Sequence, residues 1–244
     1  MKEWIANKII AGQYNQPRIL TLKLKSKKIL KIDIDKIKLL KPKKLLSYRV
    51  DDNIGIIRIN NSLGNNNLIT IFDKVLDTLI STKGLILDLR NTVDGGNSYV
   101  AKGIMSRFID KELPYQKHQT KEKHGNNPEI LRSWIEYVSP RGIQYKKPVM
   151  VLVGRWTGSM GEGLAIGFDA IKRGRIIGTE MERLGGEIGV VSLKNYNFGV
   201  RIPVVKLFHT NGKLREEFIP EFYIKQKNLT SDNVLKTAIK LLYN

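Results

Sequence analysis

An α/β architecture is the fold class this sequence predicts, and three observations predict it. Short apolar runs that read as buried strands, such as Gly84–Arg90 (GLILDLR) and Pro148–Val153 (PVMVLV), recur along the chain. Segments with helical spacing of apolar residues alternate with them. The chain has 244 residues, of which 41 % are apolar and 27 % charged, enough to bury one sizeable core. Strands and helices in alternation pack as a sheet covered by helices.

The elements follow in order. Ile19–Leu24, Ile29–Ile34 and Ser47–Asn60 read as strands, the last broken into a hairpin by Asp51-Asp52-Asn53. Leu68–Ser81 places Ile71, Phe72, Val75, Leu76, Leu79 and Ile80 at helical spacing. Gly84–Arg90 is a buried strand, and Asn97–Ile109 a helix with Val100, Ile104, Met105 and Phe108 inward. Pro114–Asn127 is polar and is expected to be a long exposed loop, with Ile130–Val138 a short helix. Pro148–Val153 is a second buried strand, followed by a small-residue helix over Ser159–Lys172. Ile176-Ile177, Ile188–Leu193 and Val200–Val205 are strand candidates. Leu229–Asp232 leads into a terminal helix with an N-cap at Ser231 or Asp232.

Composition excludes several functional classes. No Cys is present, so a disulfide framework, a thiolate zinc site and a Cys nucleophile are all ruled out. No apolar run is long enough to span a membrane, and Met1–Ile10 lacks the apolar stretch of a secretory signal, so a cytoplasmic protein is expected. The sequence holds no H-E-x-x-H, phosphate-loop or dinucleotide fingerprint. No metal and no cofactor are expected. The net charge is +19, and residues 1–49 carry +11 of it, with 12 Lys and 2 Arg against Glu3, Asp33 and Asp35. Between Lys23 and Lys44 the lysines alternate with Leu and Ile, the pattern of strands with one wet face. A Lys-rich edge hairpin accounts for this, because Lys discourages edge pairing. A nucleic-acid stripe is disfavoured, since no aromatic interleaves with the lysines and base reading leans on Arg. An anionic surface remains the alternative partner for that stripe.

Two strand–turn–helix junctions carry the chemistry. In GLILDLRNTVDGG a buried strand ends in Asp88 and Arg90, and Gly95-Gly96 then leaves amides unshielded at a helix start, where they can hold an oxyanion. A plain strand-to-helix turn is the simpler account of a lone Gly-Gly. In VMVLVGRWTGSMGEG a strand ends at Val153 and a short turn delivers Ser159 between Gly158 and Gly161. The Ser159 hydroxyl is then exposed at the positive end of a helix, with the Met160 amide beside it. Helix capping is the simpler account here, with Glu162 completing a capping box. Trp134 and Trp156 read as packing or cleft-wall residues, and Trp156 stands where it could line a substrate pocket.

Taken together, the two segments resemble the tail-specific, C-terminal processing serine proteases, a family that includes the tricorn core. Asp88-Leu89-Arg90 with Gly95-Gly96 matches the family's D-L-R-x-N-x-G-G, and Thr157–Glu162 matches its T-x-S-x-x-E. Ile54–Ile59, Ile176–Thr179 and Asn211–Glu221 resemble further family segments, so the likeness runs through residues 47–224. It implies a crotonase- or Clp-like spiral of β-β-α units over residues 49–244. Residues 1–48 would be a basic β-rich segment, the end of a PDZ-like domain.

The resemblance also assigns roles. Ser159 would be the nucleophile of an acyl-enzyme mechanism, Gly95 or Gly96 and Met160 the oxyanion donors, and Glu162 a supporting residue. The processing branch takes its base from a Lys some 25 residues past the Ser, but Glu180–Gly189 holds no Lys, and Arg183 does not release its proton near neutral pH. The tricorn branch uses a His and a closing-segment Glu, which Glu216 or Glu217 would match. Its His lies upstream of the PDZ-like domain, so the chain reads as a truncated, split or degenerate member of that branch. His209, before the closing segment, is the candidate base within the chain, although a turn His is commonly a surface residue. His118 and His124 are expected to be solvated. The implied activity is serine endopeptidase cleavage of peptide or unfolded protein, in a chain able to form homo-oligomers. The alternatives are an impaired member that binds peptide or a partner subunit, and a basic anionic-surface binder.

Overall fold

The computed structural model describes residues 2–13, 15–38, 44–193, 195, 198–225 and 231–243. They form two compact units, residues 1–43 and 44–244.

The first unit holds helix α1 (Lys2–Ala11) and the antiparallel hairpin of β1 (Ile19–Lys23) and β2 (Ile29–Asp33). Arg18 Nε donates to Asp35 Oδ1 at 2.7 Å at the open end of the hairpin. The expectation of one wet face is corrected. Ile19, Leu22, Ile29 and Leu30 are exposed along with the lysines, because no second layer among the described residues of this unit covers the apolar side. Part of the Lys23–Lys44 stripe, residues 39–43, lies outside the described residues.

The second unit is α/β. Its main sheet has six strands in the order β12-β9-β8-β5-β4-β3. These are β3 (Leu46–Asp51), β4 (Ile54–Ile59), β5 (Gly84–Asp88), β8 (Val149–Val153), β9 (Arg175–Gly178) and β12 (Phe222–Tyr223). All neighbours are parallel except β3, which returns on β4 through a turn with Asp52 and Asn53 at positive φ. Both faces of the sheet are covered, which is why its strands read as continuous apolar runs. Alternate side chains divide between two cores. Val149, Val151 and Val153 of β8 pack under the helices α2 (Asn67–Thr78), α3 (Ser98–Met105) and α4 (Met160–Ala170), with Phe72, Ile104 and Phe168. Met150 and Leu152 face the other way, onto Val234 and Ala238 of α5 (Asn233–Tyr243). Asp232 caps α5, accepting from Leu235 N at 3.0 Å, and pairs with Arg90 at 2.8 Å. That Arg90–Asp232 link ties the last helix to the end of β5.

A second sheet of four antiparallel strands has the order β10-β11-β6-β7. Two expectations fail here. The expected loop at 114–127 contains β6 (Leu113–Glu122), and the expected helix at 130–138 is β7 (Ile130–Val138). The cause lies in which side chains turn inward. On β6 these are Tyr115, Gln116 and His118, and on β7 Trp134 and Glu136 are half-buried, while Leu131, Ile135 and Tyr137 face outward. A sheet whose inner face is polar inverts the hydrophobic alternation that sequence reading relies on. The hairpin of β10 (Glu187–Ser192) and β11 (Gly199–Phe208) completes this sheet.

Candidate active site

Strands β5 and β8 are parallel neighbours, with Asp88 opposite Leu152, so the turns that leave their C-terminal ends emerge on the same side of the sheet. This is where open parallel sheets place their ligands. The two turns are joined to each other. Thr92 N donates to Trp156 O at 3.1 Å, and Gly158 N donates to Thr92 O at 3.3 Å. Thr157 Oγ1 donates to Leu89 O at 3.0 Å and accepts from Gly154 N at 3.1 Å. Asn61 braces the first turn from outside, donating to Asp94 Oδ2 at 2.7 Å and accepting from Asp94 N at 2.9 Å. Asn97 then caps α3 by accepting from Val100 N at 2.9 Å.

Ser159 sits at the tip of the second turn. Its backbone has φ 50° and ψ −114°, a region that side-chain-bearing residues seldom occupy, and its side chain is partly exposed. Ser159 and Glu162 form a capping box at the start of α4, so the side chain sits at the helix N-terminus as the capping account of the sequence expects. Gly95 packs directly against it. A Cβ on Gly95 would lie 2.3 Å from Ser159 Cβ and 2.8 Å from both Ser159 Oγ and Met160 N. Hydroxyl, turn and helix start therefore meet at one point.

The choice between the two glycine amides follows from their hydrogen bonds. Gly95 N donates to Thr92 O at 3.0 Å and is occupied in the turn. Gly95, with φ +64°, supplies space rather than a donor. Among the described residues, Gly96 N and Met160 N donate to no acceptor. Of these three amides, Gly96 N and Met160 N are therefore the two not committed within the turns.

Glu162, one helical turn into α4, is fully buried. Its carboxylate accepts from Ser159 N at 3.1 Å, from Arg183 N at 2.8 Å and from Leu184 N at 3.3 Å, and lies 3.6 Å from Arg215 Nη2. Burial pushes this carboxyl above its usual range, against the pull of Arg215 and the three amides. Glu162 thus holds the Ser159 turn, the segment after β9 and the closing segment together. Trp156 is half-exposed beside the site, with the Arg155 guanidinium 5.7 Å from its ring centroid.

His209, the candidate base, and Glu216, the candidate closing-segment Glu, form no hydrogen bond with Ser159 among the described residues. His209 is buried and pairs through Nε2 with Asp169 at 3.0 Å. Asp169 lies ten residues along the helix from Ser159, roughly 15 Å by the helical rise. His209 therefore belongs to the opposite end of α4. Glu216 contacts the same segment that closes over Glu162, since its carbonyl accepts from Arg183 Nε at 2.8 Å. No hydrogen bond joins Glu216 to Ser159 among the described residues.

Sequence reading missed two residues near the helix start. His118 is buried rather than solvated, stacked on Trp134 with ring centroids 5.0 Å apart. Its Nε2 lies 3.0 Å from Gln116 Nε2, and Gln116 in turn packs on the first turn of α4 at Gly163. Burial holds the His118 imidazole below its usual pKa, opposed by Glu136 and Glu187. Glu182 lies against Gly158, where a Cβ would come within 2.0 Å of Glu182 Oε2. Neither residue stands in a motif, because the tertiary packing alone brings them there.

The chain matches the model of peptidase family S41 over residues 53–221. It belongs to peptidase family S41. Solved structures share the S41 fold. A proposed peptidase from Parabacteroides merdae aligns with TM-score 0.68 and 23 % identity over 82 % of this chain and 65 % of that one. The photosystem II D1 C-terminal processing protease aligns with TM-score 0.61 and 20 % identity over 90 % of this chain and 57 % of that one. A proposed S41 protease from Bacteroides fragilis aligns with TM-score 0.61 and 14 % identity over 92 % of this chain and 65 % of that one. This S41 chain therefore spans less than two thirds of the length of each of these neighbours. No curated protein sequence matches it. Among the described residues, no helix is long and apolar enough to cross a membrane.

Proposed function

We propose that this S41 chain is a serine peptidase core that cleaves peptide or unfolded-protein substrates through an acyl-enzyme on Ser159. The observation that carries the reading is the strained Ser159 turn, whose hydroxyl packs against Gly95, with the uncommitted amide of Met160 next to it in the chain and that of Gly96 next to Gly95. Ser159 Oγ attacks the scissile carbonyl, and the developing oxyanion is held by Gly96 N–H and Met160 N–H. Such a donor contributes about 10²–10³ in rate. Glu162 positions Ser159 by fixing its amide, and Trp156 flanks the substrate. Protein tails are a substrate class to include, because one structural neighbour is a C-terminal processing protease. The test is labelling of the folded chain with a fluorophosphonate. Labelling lost in Ser159→Ala supports the reading, and equal labelling of both overturns it.

One second reading has its own observation. Glu180–Gly189 holds no Lys, and His209 lies at the far end of α4. A chain that binds peptide or a partner subunit without hydrolysing it would share this fold, and a folded chain that never labels selects that reading. Nucleic acid is not proposed as a partner. The lysines of the β1–β2 hairpin lack interleaved aromatics, and salt-insensitive or absent duplex binding is the expected outcome.

A further inference from the structure

A serine nucleophile needs a proton acceptor within reach or one water away. Buried side-chain atoms without a hydrogen-bond partner mark where such a group can wait. Among the described residues, several lie around the start of α4, and one lies against the nucleophile turn itself: Glu182 Oε2. The segment carrying Glu182 is docked there by its backbone, with Glu182 N donating to Thr157 O at 3.0 Å and the next two amides bound by Glu162. Only a hydrogen at Gly158 leaves room for the carboxyl. A Cβ at Gly158 would meet Glu182 Oε2 at 2.0 Å and Val93 O at 2.6 Å. Gly158 precedes Ser159, and Val93 is two residues before the Gly95 that packs on Ser159 Cβ. The carboxyl is thus placed between the two turns that meet at the nucleophile.

We propose that the Glu182 carboxylate takes the Ser159 hydroxyl proton during acylation and returns it to the leaving amine. The inference rests on Ser159 being a nucleophile. As the Ser159 Oγ–carbon bond forms, the hydroxyl proton passes to Glu182, directly or through one water. Collapse of the oxyanion breaks the carbon–nitrogen bond, and the amine leaves with that proton. Water then attacks the ester, gives a proton to Glu182, and the proton returns to Ser159 Oγ as the acid product departs. The charged groups facing Glu182 are Arg155, on the turn after β8, which favours the anion, and Asp94, on the turn after β5, which opposes it. Burial outweighs Arg155 and raises the carboxyl above 4.5, so the acceptor is poised closer to neutral pH than an ordinary glutamate.

The experiment is fluorophosphonate labelling of the full chain across pH in the wild type and in Glu182→Gln, Glu182→Asp and Ser159→Ala. The expected wild-type rate rises with pH through an inflection above the ordinary glutamate range. Glu182→Gln is isosteric and gives up no hydrogen bond of Oε2, so the fold should persist. Its labelling should fall about 10²-fold or more and lose that inflection. Glu182→Asp, which keeps the acid, should recover part of the rate and keep an acidic inflection, which a purely structural role would not produce. Glu182→Gln labelling at the wild-type rate with an unchanged profile would remove Glu182 and leave the nucleophile reading intact. A folded wild type that labels no faster than Ser159→Ala would remove both.

Discussion

Gly95→Ala tests the geometry on which the site depends. The residue has φ +64°, and its missing side chain is the space in which Ser159 sits. Gly125, in the turn between β6 and β7, has φ +57° and nothing within 4 Å of where its Cβ would be. Both alanine variants bear the left-handed backbone penalty, roughly 1–2 kcal/mol. Only Gly95→Ala adds an overlap, at 2.3 Å from Ser159 Cβ and 2.8 Å from Met160 N. Overpacking of that kind adds about 1–3 kcal/mol. In a domain of this size about 1 kcal/mol moves Tm by roughly 2–4 °C, so Gly125→Ala should melt about 2–8 °C lower and Gly95→Ala about 4–20 °C lower. The overlap is relieved by pushing Ser159 away, and a displacement near 1 Å reduces reactivity about 100-fold. Differential scanning calorimetry and fluorophosphonate labelling of the two variants side by side read both quantities. Equal melting of the two, with Gly95→Ala labelled at the wild-type rate, would refute the placement of the nucleophile against this turn.

Two further predictions concern the histidines. His209→Ala, which removes a buried ring stacked near Phe218 and set 3.0 Å from Asp169, should lower stability by about 1–3 kcal/mol and leave Ser159 labelling within about twofold of wild type. A labelling loss far beyond that would return His209 to the chemistry. His118 has its folded pKa depressed by burial, so its contribution to stability is present above the unfolded value of 6.5 and is lost as pH falls through the lower folded value. Thermal melts of the wild type should therefore decline on acidification below pH 6.5, and His118→Asn should flatten that limb. A variant whose melts decline as steeply as wild type over the same window would show that another group titrates there.

How much was legible depends on the range of the interaction that decides each feature. The apolar runs of β5 and β8 and the amphipathic spacing of α2 and α3 are local, and burial on both faces of a parallel sheet writes them directly into residue type. The glycines and Ser159 of the two turns are equally local, because each turn needs a backbone that only certain residues adopt. β6 and β7 were misread because their inward faces carry Gln116, His118, Trp134 and Glu136, which pair across the sheet instead of forming an oil-like stripe. His209, seven residues before Glu216, suggested a shared site, but the end of β11 delivers it to Asp169 at the far end of α4.

By itself, the order of residues determined the α/β class, the two glycine-flanked turns and the residue types they present, since strand, turn and helix signals act within a few residues. The tertiary structure alone decided that the turns face one another, through the parallel pairing of β5 with β8, and that Gly96 rather than Gly95 keeps a free amide. It also decided which acid, Glu182, lies against the turn that carries Ser159. These are consequences of contacts between segments distant in the chain, whose free energy depends on what each segment meets and not on what it is.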